Sequence, residues 1–170
     1  MQRLVILSLA LVFGLSFSLQ AKEKEKLPDV IGRQIEPFTL ADHRGKEWSL
    51  SDATEAKVVV VAFLGVECPL VKLYGPRLME LRSQFHDQGV AFVGINSNQQ
   101  DSLSEIEHYA RTNEIEFPLL KDPGNLIADQ FSAGRTPEIF VLDADRKVRY
   151  HGRVDDQYTY GIQKPEVTHE

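Results

Sequence analysis

The run Lys57 to Leu64, KVVVVAFL, constrains this chain more than any other segment. Its β-branched residues favour extended backbone, and it is too short for a buried helix. It therefore reads as a strand covered on both faces, at the centre of a sheet with parallel pairing. The run leads through Gly65 to Cys68-Pro69. Beyond that, Leu70, Leu73, Tyr74, Leu78, Leu81 and Phe85 recur at helical spacing and mark one face of a helix ending near Gly89. Strand thus passes directly into helix at Cys68, and Pro76 inside the helix predicts a kink at Gly75-Pro76.

The flanking segments fit the same plan. Pro37 to Leu40 and Trp48 to Leu50 alternate around Arg44-Gly45 as a leading hairpin. Val90 to Asn96 is a second buried strand, and Ser102 to Glu105 forms a capping box opening a helix that carries Leu103, Ile106 and Ala110. A short strand at Phe117 to Leu120, a turn at Asp122 to Asn125 and a short helix at Leu126 to Phe131 follow. Glu138 to Leu142 and Val148 to Gly152 complete the pattern as two strands around a turn. Alternating strands and helices with a terminal hairpin predict an α/β sandwich whose mixed central sheet is flanked by helices.

Leu4 to Leu19 is an apolar run of 16 residues behind Arg3 and ahead of Lys22 to Lys26, the layout of a secretory signal peptide over residues 1–21. It falls short of the roughly 20 residues of a membrane span, so membrane contact is expected only if the segment stays uncleaved. Residues 22–35 read as a charged linker, 36–152 as the folded domain and 153–170 as a polar tail. Residues 1–21 hold one Arg and no carboxylate, so their removal moves the net charge from −6 to −7. An acidic chain lacks the basic footprint of a nucleic-acid binder. Export to a periplasm or cell envelope implies an oxidising compartment, where an unpaired thiol is either buried and inert or reactive.

That thiol is Cys68, the one cysteine of the chain. At the end of a strand and the first turn of a helix, unbonded N–H groups and the helix dipole stabilise a thiolate. Pro69 suits the first helical position. Lys72, one turn on, adds positive charge, whereas Glu67 beside the cysteine opposes it. His43, His86, His108, His151 and His169 are scattered without the spacing of a ligand set, so neither a metal nor another cofactor is expected.

The segments PFTLADHRGKEWSL, KVVVVAFLGVECPLV, VAFVGINSN and GRTPEIFVLD resemble those of the thioredoxin-like redoxins. That group includes exported thiol-disulfide oxidoreductases and the peroxiredoxins of the AhpC/TSA type, and the resemblance covers residues 36 to about 152. It implies a nucleophile at Cys68, a helix proline at Pro76 and a cis-proline loop at Thr136-Pro137 facing the sulfur, with Arg135 two residues away. Two departures accompany it. Val71 stands where C-x-x-C proteins carry the second cysteine. Gly65, Val61 and Pro137 stand where peroxiredoxins carry a Thr or Ser, a Pro and an Arg. The resemblance also implies a closing helix after the last strand, and no amphipathic run before Glu170 supplies one. A fragmentary member with a patch of sheet uncovered is therefore expected.

These residues predict an exported single-cysteine redoxin. Its Cys68 thiolate attacks a protein disulfide or a peroxide, and an external thiol reductant resolves the product. Two other classes compete: a non-catalytic module binding a partner protein or haem domain through the Thr136-Pro137 loop, and a copper carrier using Cys68 and one histidine.

Overall fold

The β-branched run forms the middle strand of a five-stranded sheet in the computed structural model, which describes residues 29–159 and 161–168. The signal-peptide reading of residues 1–21 lies outside the described residues. In chain order the elements are the hairpin β1 (Thr39–Ala41) and β2 (Glu47–Ser49), then β3 (Val58–Phe63), helix α1 (Pro69–Phe85) and β4 (Val90–Asn96). Next come α2 (Leu103–Thr112), β5 (Leu119–Lys121), α3 (Leu126–Phe131), β6 (Glu138–Leu142) and β7 (Val148–Gly152). A small hairpin follows, β8 (Tyr158–Thr159) with β9 (Ile162–Gln163).

The sheet order is β5-β4-β3-β6-β7, with β3, β4 and β5 parallel and β6 antiparallel to both β3 and β7. Phe63 is in register with Ile95 and with Glu138, and Ile139 with Gly152. The chain therefore leaves β3, β4 and β7, and enters β6, at one end of the sheet. Cys68, Asn98, the Thr136-Pro137 loop and Arg153 meet there because register dictates it.

Side chains of β3 alternate between two cores, as the twofold period of a strand requires. Val59, Val61 and Phe63 face α3 and the leading hairpin, where Phe131 packs on Phe63 at 5.4 Å and on Phe140 at 5.0 Å between ring centroids. Ala62 and Leu64 face α1 and α2 with Val71, Leu78, Ile106 and Tyr109. Gly75 lets the two helices approach: a Cβ there would come within 2.3 Å of Asn113 Oδ1. Pro76 lies within α1, which continues through it to Phe85.

Several expectations are corrected. Leu73 is 49% exposed and Leu103 is also exposed, whereas Val71 is fully buried. The inward face of α1 runs through Val71, Tyr74, Gly75 and Leu78, because helix apolarity does not by itself fix the rotation that packs against the sheet. The folded unit also begins earlier than residue 36. Val30 and Ile35 are core residues, and Gly32 and Ile35 donate backbone hydrogen bonds to Val148 and Arg146 at 2.8 and 2.9 Å.

The segment after β7 is likewise not a detached polar tail, since Asp155 and Asp156 are buried. Asp156 accepts from Thr168 N–H at 2.8 Å and pairs with Lys164. Among the described residues no helix follows β7. Val58, Val60, Val90 and Val141 on the sheet, with Leu81 and Phe85 on α1, line an apolar groove of about 370 Å³.

Candidate functional site

Cys68 is the N-cap of α1, with extended backbone (φ −69°, ψ 123°) and Pro69 at the first helical position. Its N–H donates to Gly65 O at 2.9 Å, and its carbonyl accepts the first helical bond from Lys72 N–H at 3.1 Å. The half-buried thiol donates to Thr136 O at 3.3 Å. The Thr136–Pro137 peptide bond is cis, and the Thr136 carbonyl faces the sulfur across the end of the sheet. A cavity of about 830 Å³ opens beside them, lined among others by Tyr74, Arg135, Pro137, Arg153 and Tyr158.

Three polar clusters hold the walls of this cavity. The first fixes the cysteine loop. Asp101, buried, accepts from Val66 N–H at 2.9 Å, Asn96 Nδ2 at 2.7 Å and Asn98 Nδ2 at 3.2 Å. Asn96 in turn donates to Leu64 O at 2.9 Å, and Lys121 Nζ caps the Asp101 carbonyl at 2.8 Å. Gly65 lies beneath: a Cβ there would be 2.2 Å from Asn98 Nδ2 and 3.1 Å from Thr136 Oγ1. Glycine allows the three loops to touch.

The second cluster fixes the proline loop. Glu138, 1% exposed, accepts from Gly134 N–H at 2.8 Å and Arg135 N–H at 3.2 Å, and its other oxygen is 2.6 Å from His151 Nε2. The His151 ring stacks on Phe140 with centroids 4.3 Å apart, a consequence of the Phe140–His151 register between β6 and β7. A buried carboxylate needs such partners, since desolvating it unpaired costs several kcal/mol.

The third cluster draws the C-terminal segment against α1. Tyr74 O–H donates to Asp155 Oδ1 at 2.7 Å and accepts from Tyr158 N–H at 3.2 Å, and the Tyr74 and Tyr158 rings meet edge to face at 5.1 Å. Burial, and then the hydrogen bond to Asp155, push the Tyr74 phenol far above its ordinary range. Arg77 Nε lies 3.4 Å from Asp155 Oδ2. Behind α1, Tyr109 O–H donates to Val71 O at 3.1 Å. Burial raises that phenol too, with the charge of Cys68 a smaller contribution in the same direction.

Of the residues singled out by sequence, Cys68, Glu67, Arg135, Thr136 and Pro137 all line the cavity. Lys72 does not. Its ammonium turns toward Glu67 at 3.7 Å, so the two exposed charges offset each other in solvent. Val71, at the place of a second cysteine, is sealed in the core. Among the described residues no three His, Cys, Asp or Glu side chains gather as a metal site.

Sequence reasoning missed Asp101, Asn98, Glu138, His151, Tyr74, Asp155 and Arg153. Glu138 carried one signal, a charged residue at an inward position of an apolar strand immediately after Thr136-Pro137. The pairing partners of the others are set by long-range contacts.

Comparison with known proteins extends this geometry. The model of the AhpC/TSA family matches residues 31–151. The thiol-disulfide oxidoreductase ResA of Bacillus cereus is 27% identical over 147 residues, 85% of this chain and 82% of that protein. A hypothetical protein of Sinorhizobium meliloti superposes with a TM-score of 0.74 at 29% identity, covering 79% of this chain and 76% of the other. The thioredoxin domain of a thiol-disulfide oxidoreductase from Bacteroides vulgatus superposes with a TM-score of 0.62 at 18% identity, covering 71% and 86%. That likeness shows the fold to be thioredoxin-like, in agreement with the sandwich expected from the sequence.

Proposed function

The chain belongs to the AhpC/TSA family, and on that footing we propose that it is an exported redox enzyme performing thiol–disulfide exchange with Cys68 alone. The observation that carries this reading is the Cys68 sulfur at the start of α1, 3.3 Å from Thr136 O and open to the cavity. The Cys68 thiolate attacks one sulfur of a substrate disulfide. The substrate S–S bond breaks, a mixed disulfide forms on Cys68, and the departing thiolate takes a proton from water. An external thiol, as its thiolate, then attacks the mixed disulfide, displacing the bound half or restoring Cys68. Buried Val71 offers no internal sulfur, so the second thiol has to come from solution.

Disulfide exchange is favoured over peroxide reduction. Among the described residues the Cys68 sulfur has one polar partner, a carbonyl acceptor, and no donor is aimed at it to polarise a peroxide O–O bond. Export is supported by the layout of residues 1–21, and cleavage is read by the mass of the mature N-terminus.

The test is catalytic. The chain should accelerate reduction of a protein disulfide by a small thiol, and Cys68→Ser should abolish the acceleration. Acceleration of peroxide consumption but not of disulfide reduction would reverse the preference. Absence of both would leave the binding-module reading.

A further inference from the structure

The cavity beside Cys68 departs in charge from the rest of the molecule. The chain carries a net charge of −6, yet the acidic and basic side chains lining the cavity are Glu67, Arg135 and Arg153. Glu67 is offset by the Lys72 ammonium 3.7 Å away. Arg135, with its side chain 53% exposed, has the buried Glu138 carboxylate 3.8 Å behind it, and that carboxylate also serves His151.

Arg153 is different. It is exposed, and among the described residues its guanidinium has no hydrogen-bond or ion-pair partner; only its backbone carbonyl is engaged, accepting from Tyr150 O–H at 2.7 Å. Its charge acts on the cavity wall. For the phenols of Tyr74 and Tyr150 burial is the larger influence and raises the pKa, while the charge of Arg153 pulls the other way. The fold brings both residues to one cavity, because Arg135 precedes β6, Arg153 follows β7, and the Ile139–Gly152 register sets both at the Cys68 end of the sheet.

We infer that this cavity selects disulfides bearing a carboxylate near the sulfur, with Arg153 as the principal anchor and Arg135 as the second. The inference rests on the thiol–disulfide reading of Cys68 and adds a substrate class to it. The guanidiniums hold the anionic half of the substrate while the thiolate attacks its disulfide. The S–S bond breaks, the acidic half stays on Cys68 as a mixed disulfide, and the other half leaves as a thiolate. A guanidinium with no competing carboxylate suits planar recognition of such a group.

Three disulfides test it on the full reduced chain: glutathione disulfide, net negative; hydroxyethyl disulfide, neutral; and cystamine, positive. Each rate of mixed-disulfide formation is divided by the rate of free thioglycerol, a neutral thiol, with the same disulfide. The normalised rates should fall in that order, by about threefold per guanidinium contact. The spread should narrow in about 0.5 M salt.

Arg153→Gln should slow glutathione disulfide about threefold more than it slows hydroxyethyl disulfide, and Arg153→Lys should keep most of the preference. Equal normalised rates for all three disulfides, or a glutathione preference untouched in Arg153→Gln, would overturn the inference while leaving the role of Cys68 intact. Failure of all three to react would overturn the Cys68 reading, and this inference with it.

Discussion

Replacing Glu138 by alanine asks whether a buried carboxylate clamps the loop that faces Cys68. The side chain is 1% exposed, takes N–H donors from Gly134 and Arg135 at 2.8 and 3.2 Å, and meets His151 at 2.6 Å. Its removal strands two backbone donors and an imidazole that is itself almost fully buried. A hydrogen bond to a charged group contributes about 1.5–3 kcal/mol, and a buried donor left unsatisfied costs about 1–3 kcal/mol. These losses overlap, so about 3–5 kcal/mol is expected in all, read from the urea midpoint at unchanged slope.

Glu138→Gln keeps the shape and one acceptor and should cost about half as much. A second readout separates clamping from bulk stability. Because the loop carries Thr136, its release should slow the reaction of Cys68 with hydroxyethyl disulfide by about tenfold under conditions where the variant is folded. A double-mutant cycle with His151→Ala should give a coupling above about 1 kcal/mol. A cost below about 1 kcal/mol, or strict additivity with His151→Ala, would refute the clamp.

Other consequences are equally concrete. The Asp42 carboxyl is lowered from its ordinary 3.8: burial would raise it, but the Arg44 guanidinium and the Lys46 and Arg44 N–H groups outweigh burial. A depressed folded pKa contributes stability that is present above the unfolded value and lost as pH falls through the folded one. Wild type should therefore exceed Asp42→Asn in thermal stability at neutral pH, with the gap closing below about pH 4. Val71→Cys places a second sulfur one turn into α1. By mass spectrometry this variant should release small mixed-disulfide adducts without added thiol, whereas wild type retains them. Tyr74→Phe leaves Asp155 Oδ1 and Tyr158 N–H without the phenol and should cost about 1–3 kcal/mol by chemical denaturation.

How far the residues spoke for themselves differs from element to element. KVVVVAFL could only be a strand, and its β-branched run, followed by a helix-opening proline, located Cys68 at a helix start before any contact was known. The capping box at Ser102 and Glu105 was equally local and forms as expected, with Glu105 N–H donating to Ser102 Oγ at 3.3 Å. Rotation of α1 was not legible. Leu73 and Val71 are both apolar, and only the β3–β4 surface decides which of them turns inward.

The ends of the folded unit were hidden for a similar reason. Val30 and Ile35 lie in a charged stretch and become core because Gly32, Arg33 and Ile35 exchange backbone bonds with Arg146 and Val148 around the start of β7. In the site, Cys68 stood out by its local setting at a strand-to-helix junction, and Thr136-Pro137 only through the family resemblance. Glu138–His151, Asp101–Asn96 and Tyr74–Asp155 did not stand out, since each pair joins separate segments, and a polar residue gives no sign of its partner until the fold supplies one.

The function proposed for this fold requires the Cys68 sulfur to be a reachable nucleophile in the folded protein. The most direct measurement is the intact mass of the native, reduced chain after brief exposure to hydroxyethyl disulfide near neutral pH, beside Cys68→Ser and a urea-unfolded sample. A single mercaptoethanol adduct is expected on the native chain, removed by added thiol and absent from Cys68→Ser. An adduct that forms only after unfolding would contradict the proposed function.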